Sequence, residues 1–132
     1  MRIKLTFVVA FATLLLAAVP AMAHHSFAAE FDSNKPVKLT GVVTKIEWSN
    51  PHAYFYIDVT DAAGKVTNWG LEMGSPNGLM RQGWTRHSLN VGDAVTVEGS
   101  RAKNGMAIAN ARSVVLADGR NLFAASSQGT QQ

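Results

Sequence analysis

The chain has 132 residues, no cysteine, and twelve Lys+Arg against nine Asp+Glu, a formal charge of +3. This length suits one domain with one core. The missing cysteine excludes a disulfide framework and a lipoprotein's acylated thiol.

Arg2 and Lys4 open a positive segment, an apolar run extends from Leu5 to Val19, and Pro20 precedes Ala21-Met22-Ala23. This order reads as a Sec-type signal peptide over 1–23, cleaved after Ala23. The apolar run falls short of the ~20 residues that span a bilayer, so no membrane anchor is expected after cleavage. Arg2 and Lys4 are two of the twelve basic residues, so the segment from His24 keeps ten against nine acidic ones, a charge of +1. That balance argues against a nucleic-acid partner. The expected location is periplasmic or secreted.

Residues 24–36 lack a period and read as an N-terminal arm. Val37 to Trp48 reads as a first strand, its apolar positions changing phase around Gly41, which suggests a bulge. Asn50-Pro51 is a turn. Ala53 to Thr60 alternates, with Phe55, Ile57 and Val59 on one face and Tyr54, Tyr56 and Asp58 on the other. Asp61 to Gly64 is a hairpin loop, and Val66 to Met73 returns. Ser75-Pro76 starts a short helix that Gly83 ends, with Leu79, Met80 and Trp84 on its buried side. Ala94 to Arg101 and Met106 to Leu116 supply two more strands, and 124–132 is a polar tail. Met73, Met80 and Met106 fall at expected core positions.

The fold class is therefore all-β: a five-stranded OB-like barrel over 37–123, with one short helix between strands 3 and 4. Five strands are too few for an immunoglobulin-like sandwich.

His24-His25-Ser26-Phe27-Ala28-Ala29-Glu30-Phe31-Asp32, Gly41 through Trp48, Asn50-Pro51-His52 and Trp69-Gly70-Leu71-Glu72 resemble the motifs of a family of small exported Gram-negative proteins of unknown function. Ser75-Pro76-Asn77, Arg81-Gln82-Gly83-Trp84 and Asn110-Ala111-Arg112-Ser113 extend the resemblance over nearly the whole mature chain. It implies an exported small barrel and brings no activity, so function must come from the side chains.

Cleavage after Ala23 gives His24 a free α-amine. Amine and Nδ1 of one histidine chelate a metal, and an imidazole from His25 or His52 would complete a nitrogen set that favours copper over zinc. The arm can extend ~40 Å, enough to return His24 to His52. Trp48, Tyr54 and Tyr56 form an alternative site, an aromatic strand face for a sugar, an anion or a periplasmic protein. Arg101, Lys103 and Arg112 would flank it. Glu72 and Arg81 are expected to pair and brace the short helix against the barrel, with Trp69 and Trp84 in the core. His87 reads as a surface residue. No Gly-x-Ser-x-Gly, His-Glu-x-x-His or glycine-rich phosphate loop is present, so the chain reads as a binding protein rather than an enzyme.

Overall fold

A computed structural model of the chain describes residues 27–125. The expected signal peptide, its cleavage point, His24, His25 and the tail from residue 126 lie outside the described residues. The elements run α1 (Phe27–Glu30), β1 (Phe31–Glu47), β2 (Tyr54–Thr60), β3 (Val66–Glu72), α2 (Pro76–Arg81), β4 (Ala94–Ala102), β5 (Ile108–Val115) and β6 (Asn121–Phe123).

The sheet order is β3-β2-β1-β4-β5-β6, and a parallel β3–β5 pairing at residues 70–72 and 108–110 closes it. Strands 1-2-3-5-4 thus surround one core, with α2 in the connection from β3 to β4, which is the OB barrel. The expected class holds. Two differences qualify it. The first strand starts at Phe31, six residues before the expected barrel boundary, because residues 31–32 and 36–42 pair with β4. A sixth strand, only three residues long, pairs with Ser113–Val115.

β1 serves two partners, β4 along its first part and β2 from Val42 onward. The register slips between Val43 and Lys45, leaving Thr44 as the extra residue. A bulge there moves the inward set from Val37, Leu39 and Val43 to Ile46, and these side chains all pack on the core. Val42 is 45% exposed, so the phase change sits at Thr44 rather than at Gly41. Gly41 has a different duty: a Cβ there would lie 2.4 Å from the Asp58 carbonyl oxygen.

β2 buries Phe55 and Ile57 completely, and β3 contributes Leu71 ahead of the equally buried Met73. The Asp61 carboxylate accepts from the Ala63 and Lys65 amides, both at 2.9 Å, and shapes the hairpin. Ser75 caps α2, its Oγ accepting from the Gly78 amide at 3.2 Å, with Pro76 in the first turn. Leu79 and Trp84 are buried as expected. Met80 and Met106 are 51% and 56% exposed. Pro76 and Leu79 supply the buried contact of so short a helix, and Met106 sits in the β4–β5 turn rather than in a strand.

At a further register shift, between Glu98 and Gly99, β4 approaches β5 so closely that a Cβ on Gly99 would lie 2.0 Å from the Asn110 carbonyl oxygen. Backbone cannot swing aside as a side chain can. Gly99→Ala is expected to lose about 1–3 kcal/mol or more, read as a lower urea midpoint with an unchanged slope.

Candidate functional site

Antiparallel pairing sets Tyr54 directly opposite Glu72. The Tyr54 hydroxyl donates to Glu72 Oε2 at 2.6 Å, and His52 Nδ1 lies 3.0 Å from Glu72 Oε1. One carboxylate, 7% exposed, thus takes a donor on each oxygen. Such burial is tolerable because both oxygens are paired. The contact also fixes the imidazole: Nδ1–H points at Glu72, and the neutral ring keeps its lone pair on Nε2.

Burial of the Tyr54 ring pushes its hydroxyl well above the ordinary tyrosine value of 10.0, and the Glu72 hydrogen bond and the charges of Glu72, Glu30 and Tyr56 add to this. The protonated phenol is the form that the fold favours. Its stabilisation is present below pH 10 and is lost as pH rises through the raised value, because the unfolded chain releases this proton first. A spectrophotometric titration should show one of the two tyrosines ionising well above the other, and Glu72→Gln should bring it down.

Tyr56, on the same outer face, packs over Gly70, where a Cβ would lie 3.3 Å from the ring. Its hydroxyl donates to Glu47 at 3.2 Å, and Lys45, which pairs with Glu47, sits 5.2 Å from the ring centroid.

The segment from Phe27 to Phe31 closes the other side of the cluster. The Lys103 amide donates to the Glu30 carbonyl at 2.9 Å, and Lys103 Nζ to the Ala28 carbonyl at 2.6 Å. The Phe27 and Phe31 rings stack at 5.7 Å, and Phe31 is buried. α1 is thereby held over the β4–β5 turn. A cavity of about 580 Å³ lies between it and the barrel, lined by Glu30, Phe31, Tyr54, Glu72, Lys103 and Ile108 among others.

The residues singled out in the sequence are distributed unevenly. His52 and Tyr54 share Glu72, and Tyr56 is two residues along the same strand face. Trp48 packs against the core instead, so it does not extend the tyrosine face. Arg101 lies over Trp69, 5.4 Å from its ring, and Arg112 approaches Glu98. Of the expected flanking cations, Lys103 lines the cavity beside Tyr54. The expected Glu72–Arg81 pair is corrected: Glu72 is occupied by His52 and Tyr54, while Arg81 Nε donates to the Asn77 carbonyl within its own helix. Trp69 is half-buried and Trp84 is core. His87 is exposed. Sequence reasoning assigned Glu72 to bracing, although the tight hairpin at Asp61–Gly64 already implies the register that sets it against Tyr54. Nothing in the sequence signalled that Glu30 and Lys103 meet there.

Among the described residues no three His, Cys, Asp or Glu side chains form a metal-holding group.

Fold and site together define an OB-type barrel with a polar cluster at the edge of its β2–β3 face. The chain belongs to the Family of unknown function (DUF6152), whose model matches residues 12–111. No curated protein matches it. Two solved structures are similar in fold. One is the crystal structure of the mitochondrial single-stranded DNA-binding protein Rim1 from S. cerevisiae, at 11% identity and a TM-score of 0.49, covering 62% of this chain and 92% of that one. The other is the dimeric N-terminal domain of PriB protein from Thermoanaerobacter tencongensis, at 24% identity and a TM-score of 0.43, covering 64% of this chain and 97% of that one. The expectation of no nucleic-acid partner is corrected here, since a barrel similar to this one is a single-stranded DNA-binding protein. The +1 charge behind that expectation sums over the whole surface and says nothing of one face.

Proposed function

We propose that the protein is an exported, non-catalytic metal-binding protein, with Cu(II) as the leading ligand. Processing after Ala23 would give His24 its free amine, and amine and imidazole of that residue would chelate the ion. His52 would add a further imidazole through Nε2, with His25 as the alternative donor. Periplasm or the cell exterior is the proposed location, as for the exported Gram-negative proteins whose motifs the chain resembles.

The observation that carries this reading is the 3.0 Å contact of His52 Nδ1 with Glu72. A carboxylate on one ring nitrogen orients a histidine and raises the basicity of the other, the arrangement found behind metal-ligating imidazoles. Reach supports it too. Phe27 is one helical turn from Glu30, which lines the same cavity as Tyr54 and Glu72. His24 precedes Phe27 by three residues, up to about 10 Å of chain. A nitrogen-rich set of this kind favours Cu(II) over Zn(II).

A Cu(II) titration of the protein that begins at His24, beside the same protein with its α-amine acetylated, tests the reading. Tight one-to-one binding confined to the first is expected. The second reading, a small-ligand or partner module on the tyrosine face, is favoured by the cavity beside Tyr54.

A further inference from the structure

We propose that the outer face of β2 and β3 around Tyr56 binds a neutral sugar ring, stacked on the tyrosine and held through two neighbouring hydroxyls by Asp58 and Asn68. The proposal rests on the small-ligand reading of the tyrosine face and names its ligand class. It uses no residue of the copper set, of the Glu72 cluster behind it or of the cavity under α1.

The sheet builds the platform. Tyr56 stands opposite Gly70 in the β2–β3 register. A Cβ at Gly70 would lie 3.3 Å from the Tyr56 ring, so the missing side chain is what lets the ring lean over β3. Its hydroxyl donates to Glu47 at 3.2 Å, and the residue stays half-buried rather than covered. A tyrosine held in this way offers a wide amphipathic contact with little freedom left to lose on binding.

The polar groups beside it are also fixed in advance. Asp58 and Asn68 face each other as the next outward pair along the hairpin. Asn68 Nδ2 donates to Asp58 Oδ1 at 2.8 Å and to Thr44 Oγ1 at 3.0 Å, and Thr44 donates in turn to the Tyr56 carbonyl at 3.3 Å. Both amide hydrogens of Asn68 are thus used. Its Oδ1 and Asp58 Oδ2 remain as two acceptors without a partner among the described residues. Paired acceptors beside an aromatic ring suit a ligand with neighbouring donors and an apolar face. A pyranose has both, in its vicinal hydroxyls and its C–H groups.

Charge sets the alternatives aside. Lys45 pairs with Glu47, and its ammonium lies 5.2 Å from the Tyr56 ring centroid, so a cation on that ring would meet a like charge. An anion, a nucleic-acid phosphate included, would meet Asp58 and Glu47. A neutral polyol meets neither penalty. Lys45 is exposed, and its flexible stem lets the ammonium shift and donate to a ligand hydroxyl.

The test follows the NMR signals of the Tyr56 ring and the Asn68 side-chain amide in the metal-free protein that begins at His24, at pH 7. The probes are methyl β-glucoside, methyl β-galactoside, methyl α-mannoside, cyclohexanol and octathymidylate. At least one glycoside is expected to saturate a single site with a dissociation constant on the order of 1–10 mM. Cyclohexanol, with a ring but one hydroxyl, should bind at least about fivefold more weakly. Tyr56→Ala should weaken the glycoside about tenfold and Asn68→Ala about fivefold, while Tyr56→Phe, which keeps the ring, should change it less than about twofold. No saturation by any of the three glycosides, or full affinity in Tyr56→Ala, would overturn the proposal. Equal binding of cyclohexanol would overturn the sugar and leave the small-ligand reading standing. A tighter response to octathymidylate would overturn it in favour of nucleic acid. The wild-type probe series decides the matter even where a variant fails to fold. A separate Cu(II) titration of the same protein reports on the metal reading alone.

Discussion

Trp84→Ala is expected to lower the stability by about 3–5 kcal/mol, the range for truncating a large buried aromatic. Trp84 is 2% exposed and is the largest of the fully buried side chains. It lies just beyond α2, where the chain crosses from β3 to β4. Its indole Nε1 donates to the Phe123 carbonyl at 2.8 Å, so one side chain fills the barrel end and holds β6 against it. Alanine there leaves both a void and an unpaired carbonyl. For a domain of this size each kcal/mol is worth about 4–8 °C in melting temperature, so a fall of at least roughly 12 °C should be seen. Trp84→Phe separates the contributions, since it restores much of the volume and loses the hydrogen bond. Its loss should fall nearer the ~1–3 kcal/mol of an unsatisfied buried acceptor. A loss below about 1 kcal/mol for the alanine variant would contradict this view of the core.

Glu72→Gln is expected to weaken Cu(II) binding about 10–100-fold, the usual effect of removing the carboxylate behind a ligating histidine. The substitution keeps the shape of the side chain. It takes away the charge, and it replaces one of two accepting oxygens with an NH2 that faces a donor. The Tyr54 hydroxyl can turn to accept from that NH2, so His52 keeps an amide oxygen but loses the negative charge behind it. A neutral amide holds the ring less firmly than a carboxylate and leaves its Nε2 less basic. His52→Ala should give at least as large a loss, and combining the two should add little, because Glu72 acts on the metal through His52. Circular dichroism of each variant guards against loss of fold. Unchanged affinity in Glu72→Gln would remove Glu72 from the metal account and leave it a structural role with Tyr54.

The barrel was legible in the sequence because its strands alternate and its turns carry their own signals. Phe55 and Ile57 against Tyr54 and Tyr56 fixed the faces of β2, and Ser75-Pro76 with Gly83 bounded the helix. β6 escaped because Asn121–Phe123 is too short to show a period. The start of β1 escaped for a different reason. Phe31–Pro36 is polar and irregular, and pairing with β4 rather than propensity makes it a strand. The candidate site was half legible. His52 and Tyr54 stood out as residue types near a turn and on an open face. Their meeting at Glu72 depends on hairpin register, and the wall made by Glu30, Phe31 and Lys103 depends on contacts between distant parts of the chain. Trp48, just past the end of β1, is half-buried and packs against the core, a placement that the bulge at Thr44 sets and that residue type alone does not show. Arg81 shows how a plausible charge pair fails once its partner is already satisfied.

The measurement that bears most directly on the central claim is Cu(II) binding to the protein beginning at His24, compared with the same protein with its α-amine acetylated. Calorimetry and EPR read the two forms side by side. The account predicts tight one-to-one binding with nitrogen hyperfine structure in the first form, lost in the second because an acetylated nitrogen no longer serves as a ligand. Equal binding in both, or only weak binding in each, would contradict it and leave the tyrosine face and its cavity as the functional surface of the barrel.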